Sequence, residues 1–292
     1  MNQAQAEAML GDAFAALDRH DVATAMRIGE ELKTMKHSAG FEVLSQAWLA
    51  RGDVQKALDA LQEGVRLAPQ VWLLWQSMGN LLSSQQMFKE AHEAYGRALV
   101  CPDADVSTIH FNRSLAYAQQ RDFASALRCL DLVKAEYLRF KAGSFRVAAL
   151  NDLGRSGEAA QAASDLLAAA AGQAVDAEDL ARLYAQSGKA AWLGSKDAQS
   201  ARQAARQALS VMEDEPTALW LLREVDGEHA EGRRYYRLDV GNRLYEVVAT
   251  SLEAALQLAQ NLANERLELR GHKQLEFDPK GPTGVYRIVR TA

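Results

Sequence analysis

The side chains in this sequence best suited to hold a metal or attack an electrophile are 6 histidines and 2 cysteines. The histidines are His20, His37, His92, His110, His229 and His272, and no two stand four residues apart, the spacing that sets a pair of imidazoles on one helical face. Cys101 and Cys129 form neither a Cys-x-x-Cys pair nor a disulfide framework, and both read as packing residues. No His-Glu-x-x-His, nucleophile elbow, Walker loop or Gly-x-Gly-x-x-Gly turn occurs. Lys280-Gly281-Pro282-Thr283-Gly284 offers backbone N–H groups to an anion, but no helix follows it, so it reads as a connection. The acidic run Glu213-Asp214-Glu215 reads as a solvated loop. Arg233, Arg234, Arg237 and Arg243 lie among Tyr235, Tyr236 and Tyr245, a mixture that single-stranded nucleic acids favour. Residues 228–292 nevertheless hold 10 basic and 9 acidic side chains, so a mixed solvated face is the better reading. No enzyme, cofactor or metal site is expected from these residues.

The chain as a whole limits the remaining options. Its 292 residues are 48% hydrophobic and 24% charged, which is globular composition with room for a sizeable core. With 33 basic and 38 acidic residues the formal charge is -5, unsuited to a general nucleic-acid binder. No apolar run approaches a membrane span, and the N-terminal residues lack the pattern of a secretion signal. A cytoplasmic protein is the expectation.

Self-similarity is the strongest positive signal. His20-Asp21-Val22-Ala23-Thr24-Ala25 returns as Gly52-Asp53-Val54-Gln55-Lys56-Ala57, Gln86-Met87-Phe88-Lys89-Glu90-Ala91 and Arg121-Asp122-Phe123-Ala124-Ser125-Ala126. Gly154-Arg155-Ser156-Gly157-Glu158-Ala159 is a fifth, looser copy, and the closing alanines are 32, 34, 35 and 33 residues apart. A period near 34 marks stacked helix-turn-helix units. The small closing residue belongs where the two helices of a unit cross closely. The expected pairs are 3–17 with 22–36, 40–50 with 54–67, 72–84 with 88–100, 106–119 with 123–135, and 139–152 with 156–170. A longer pair at 177–193 and 197–212 follows, then a helix from Thr217 to Glu228 whose Leu219, Trp220 and Leu222 cover the end of the stack.

In its third unit the chain carries Trp75, Met78, Gly79, Leu82, Ala91, Tyr95, Ala98 and Pro102 in order. The second keeps Leu44, Trp48, Ala57, Leu61 and Pro69, and the fourth keeps Ser114, Tyr117, Ala126 and Leu130. In these positions the sequence resembles the tetratricopeptide repeat proteins. The resemblance implies a mainly α fold, a right-handed solenoid of five to six helix pairs whose first helices line a concave groove. It also implies a non-enzymatic adaptor or chaperone-like scaffold that binds a partner peptide or helix in that groove.

Members of the family that clamp C-terminal carboxylates use Lys and Asn on one repeat, Asn on the next, and Lys plus Arg on the third. Asn80, Asn112 and Lys141 match; Gln76 stands where a Lys would be, and Arg146 falls one residue out of register. With those departures, the expectation is amide side chains bonding an extended backbone while Lys141 and Arg146 attract an acidic group. Trp72, Leu73 and Phe111 share the face, Phe111 as a hydrophobic contact and Trp72 as packing. The alternative is that all are ordinary solvated helix faces.

From Gly232 the pattern alternates. Strands at 235–240 and 244–249 around a Gly241-Asn242 turn, a helix from Thr250 to Glu265, and strands at 273–277 and 285–289 make a ββαββ module. The expected division is therefore a solenoid over 1–229 and a small α+β module over 230–292. A competing reading gives that module the function, a small-molecule site or modest catalysis, with the solenoid as recruiting arm. A third has terminal repeat faces meeting in a homodimer.

Overall fold

A computed structural model describes residues 3–226, 234–239, 244–249, 251–253, 255–257 and 259–260. It divides into two compact units, Met1–Leu153 and Gly154–Ala292. The boundary expected at 229/230 lies outside the described residues.

The first unit contains α1 (Gln3–Asp18), α2 (Val22–Thr34), α3 (Ala39–Ala50), α4 (Val54–Leu67), α5 (Trp72–Ser84), α6 (Phe88–Leu99), α7 (Val106–Gln119), α8 (Phe123–Leu130) and α9 (Arg139–Asp152). The repeated phrase is the device that turns each odd helix into the even helix after it. Its first residue is left-handed in every copy of this unit: His20, Gly52, Gln86 and Arg121 have φ of 60, 78, 61 and 60°. The N–H groups there reach back as in a Schellman turn, with Asp21 N donating to Ala16 O at 2.8 Å and Asp122 N to Tyr117 O at 2.9 Å. The phrase's Asp then caps the next helix. Asp21, Asp53 and Asp122 accept from the N–H of Thr24, Lys56 and Ser125 at 3.1, 3.1 and 3.0 Å. Its last residue ends at the crossing: Ala25, Ala57, Ala91 and Ala126 are 0, 0, 0 and 1% exposed.

Apolar side chains fill the layers between paired helices. Leu61, Leu74 and Phe41 meet between α3, α4 and α5; Tyr95, Leu82 and Ile109 meet between α5, α6 and α7. Backbones approach closely enough to exclude even a methyl group. A Cβ on Gly40 would lie 2.6 Å from Lys33 N and 2.7 Å from Gly29 O, and one on Gly79 would lie 2.8 Å from the Tyr95 ring.

One helix is shorter than the sequence predicts. Continuation of α8 to residue 135 is expected, yet it stops at Leu130. The N–H groups of Lys134 and Ala135 donate to Ser107 Oγ at 3.0 and 3.1 Å, which draws the chain back to the start of α7. The Tyr137 hydroxyl donates to Asp105 there, and Leu138 packs on Phe111. Side-chain acceptors and an apolar anchor thus outcompete the helix at 131–138.

The second unit holds α10 (Ser156–Ala170), α11 (Ala177–Ser195), α12 (Ala198–Val211), α13 (Pro216–Asp226), β1 (Arg234–Asp239) and β2 (Leu244–Ala249). Lys196 (φ 56°), Asp197 and the buried Ala201 repeat the same turn between α11 and α12. Helix α13 packs its Ala218, Leu221 and Val225 with Ala201, Ala205 and Ala208. The acidic run before it is only partly solvated. Glu213 and Asp214 are exposed, but Glu215 is 3% exposed and its carboxylate accepts the Ala218 N–H at 2.6 Å, capping α13 in place of a smaller residue. Strands β1 and β2 pair antiparallel from Arg234↔Ala249 to Asp239↔Leu244. Helical residues follow within 252–260, with Ala255 and Ala259 buried. The Gly241-Asn242 turn, the end of that helix and the strands expected at 273–277 and 285–289 lie outside the described residues.

Two substitutions test this geometry. Gly40→Ala forces the α2 and α3 backbones apart and is expected to cost about 1–3 kcal/mol in urea unfolding. Arg121→Gly relieves a left-handed non-glycine residue and is expected to add about 0.5–1 kcal/mol, the net of lost strain and added chain entropy.

Candidate functional site

Pairing within units leaves one face of the odd helices uncommitted. In the first unit α3 neighbours α5, and α5 neighbours α7. Polar side chains stitch these neighbours together. Ser77 Oγ on α5 donates to Glu42 Oε1 on α3 at 3.2 Å, and Ser83 Oγ on α5 donates to Gln119 Oε1 on α7 at 2.8 Å. The result is a seam of hydroxyl, amide and carboxyl groups along α3, α5 and α7.

Each residue expected to contact a partner takes a different place on this seam. Gln76 is 7% exposed, and its Oε1 is fully buried with no hydrogen-bond partner among the described residues. Asn80, one turn on, is exposed; its Oδ1 accepts from the Tyr95 hydroxyl at 2.8 Å, which leaves its amide N–H groups to donate elsewhere. Burial pushes the Tyr95 phenol well above its usual range, so the hydroxyl is a fixed donor. Asn112 is half-buried on α7. Phe111 is 4% exposed and packs edge-on against Phe145, with ring centroids 5.5 Å apart, so it forms the floor of the seam. Lys141 is exposed, with its ammonium 5.9 Å from the centre of the Phe111 ring. Arg146 is ion-paired with Asp131, just past the end of α8. Five residues are about 140° around a helix, so Lys141 and Arg146 do not share a face.

Glu42 and Ser77 belong to this site, although neither stands out in the sequence. The signal that finds them is position in the repeat: Glu42, Gln76, Phe111 and Ser144 each stand fifteen residues before a closing alanine. That position faces the adjacent odd helix, so it is largely buried whatever residue fills it. Burial raises the Glu42 carboxyl above its usual range, opposed only by the Ser77 hydroxyl. No cation pairs with it among the described residues.

Among the described residues, His92 and Cys129 take structural places. His92 stacks on Tyr117 at 4.0 Å between centroids, and its Nε2 meets Gln120 Nε2 at 2.8 Å. Burial, then the nearby Arg113 charge, lowers both His92 and His110, with Asp122 opposing at His92. Cys129 is buried and its thiol is pushed up by that burial, which makes it a poor nucleophile. Among the described residues no group of three or more His, Cys, Asp or Glu side chains could hold a metal ion, and no helix is long and apolar enough to cross a membrane.

Glu42 and the capping aspartates answer acid in opposite senses. A carboxyl raised on folding is most compatible with the fold when protonated, so its cost appears as pH rises through the raised folded value. Asp21 and Asp122 are held low by the side-chain and backbone groups of Thr24 and Ser125, so their contribution is lost as pH falls through the depressed folded value. Glu42→Gln is therefore expected to be more stable than the parent at neutral pH. In thermal melts the gap should close as pH drops below the ordinary glutamate range.

No family model and no curated protein matches the sequence. Solved structures do. The chain is similar to PilW, a type IV pilus biogenesis factor, at 18% identity and a TM-score of 0.59, over 76% of this chain and 100% of that one. It is similar to PilF of Pseudomonas aeruginosa at 16% identity and 0.57, over 75% of this chain and 97% of that one. The C-terminal part of a TPR repeat-containing protein of Cytophaga hutchinsonii aligns at 11% identity and 0.54, over 74% and 84%. Identities this low bear on architecture alone. Paired helices, a turn repeated at each period and these likenesses agree that the helical array of this chain has the tetratricopeptide-repeat fold.

Proposed function

We propose that this protein is a non-enzymatic adaptor whose seam on α3, α5, α7 and α9 binds an extended segment of a partner protein. The observation that carries the reading is the set of polar groups on the odd helices that no pairing contact requires: the Asn80 amide, Asn112 and the exposed Lys141. An extended backbone needs donors and acceptors at intervals, and side-chain amides supply both. Lys141 has no carboxylate partner among the described residues, and it suits an acidic group on the bound segment. Phe111 stiffens the surface beneath it rather than projecting from it. Arg146, held by Asp131, orients the α8–α9 connection. The module beginning at β1 supplies a second contact or covers the last helices. The composition and the two free thiols, one of them buried, fit a cytoplasmic setting.

The test is affinity purification from native extract with mass spectrometry, comparing the parent with an Asn80→Asp plus Asn112→Ala variant. Aspartate at 80 retains the acceptor for Tyr95 while deleting both amide donors. Partners bound through the seam should fall away by about tenfold or more. Full retention of every partner by the folded variant would rule the seam out.

A further inference from the structure

Two acceptors on the α3–α5 part of the seam lack the donors that burial demands. Glu42 has a half-buried carboxylate whose one hydrogen bond among the described residues is the 3.2 Å contact from Ser77 Oγ. Gln76, the residue before Ser77, is 7% exposed with a fully buried amide oxygen that has no partner among the described residues. A buried carboxylate is ordinarily paired, and an orphaned acceptor forfeits a hydrogen bond that water would have given it. Among the described residues of the first unit, no cation pairs with Glu42. The lysines of α2 and α4 in ion pairs, Lys33 with Glu63 and Lys56 with Asp53, are already closed on other carboxylates. The position is also unlike its counterparts in the following units, where Phe111 is buried in an apolar cluster and the Ser144 hydroxyl donates to Lys141 O at 2.9 Å.

We infer that the α3–α5 part of the seam receives a basic side chain, lysine or arginine, of the bound segment, with the half-buried Glu42 carboxylate as its counter-ion. This rests on the binding reading above and deepens it by naming the chemistry at one subsite. An ammonium or guanidinium carries several donors and no acceptor, the complement of a carboxylate with a single hydrogen bond from a hydroxyl. Lys141 on α9 has the opposite character, so the seam is electrically polar along its length. It fits a segment with a basic residue toward α3 and an acidic one toward α9, and so fixes the direction in which the segment lies. A reversed segment would set like charges against both ends.

The experiment uses the full chain and a displayed library of random dodecapeptides. Selected binders are then resynthesised with each arginine replaced by citrulline and each lysine by norleucine. The expected result is a lysine or arginine recurring at one position, with neutral replacement weakening binding about tenfold. Glu42→Gln should weaken the basic peptide by a similar factor and become indifferent to the replacement. Glu42→Asp, which keeps the charge, should retain the preference. Binders that lack a recurrent basic residue, or a basic preference that survives unchanged in folded Glu42→Gln, would overturn the inference while leaving the seam as a binding surface. A library that yields no binder at all would sink the seam and this subsite together.

Discussion

The structure depends on one close approach, the crossing of each odd helix with the even helix that follows. A methyl group is the largest side chain the closing position accepts, and Ala25, Ala57 and Ala91 are wholly buried there. Such crossings hold only if the turn before them has fixed length and direction. A left-handed residue followed by a capping aspartate provides this, so the phrase and the crossing form one mechanical part. Once both helices have spent their apolar stripes on each other and on the next pair, the remaining face of each odd helix is free of packing duty. Polar residues can gather there at less cost than in the layers between paired helices, and in the first unit they do.

That local character explains what was legible in the sequence. Twelve residues before the closing alanine the chain places Ser45, Gly79 and Ser114, small and buried in each case, and the repeat alone predicts them. The expected helix limits at 54–67, 72–84, 106–119 and 139–152 are the observed ones, because caps and left-handed turns lie within a few residues of the ends they set. Where an end is set from far away, the sequence misleads. Helix α8 stops early because Ser107, 27 residues before Lys134, captures its N–H. The acidic run at 213–215 looks solvated, yet Glu215 is drawn inward by the N-terminus of a helix that follows it.

The candidate site divides along the same line. The four-residue spacing of Gln76 and Asn80 shows that they share a face, but not that one is buried and the other exposed. Exposure depends on how near the adjacent odd helix comes, a tertiary quantity. Arg146 looks like a partner for Lys141 when residues are counted, and the helical angle between them together with Asp131 separates their roles. Glu42 passes for a surface glutamate in the first turn of α3 until Ser77 of the next unit is set against it.

Unpaired polar atoms are not all equivalent, and their chemistry decides which mark a site. His92 and His110 each bury an Nδ1 without a partner. Burial and Arg113 both favour the neutral ring, whose unmet Nδ1 costs one forgone hydrogen bond, offset at His92 by stacking on Tyr117. Arg113 buries its Nε, but its guanidinium carbon lies 5.7 Å from the Tyr117 ring centre, which meets part of the charge with π density. Glu42 has neither refuge. A carboxylate cannot stack on an aromatic face with profit, and when protonated it exchanges its charge for a donor facing other acceptors. Among the described residues of the first unit, the half-buried Glu42 is a carboxylate with one hydrogen bond and no cation beside it, and natural sequences keep such locally unfavourable choices chiefly where binding repays them.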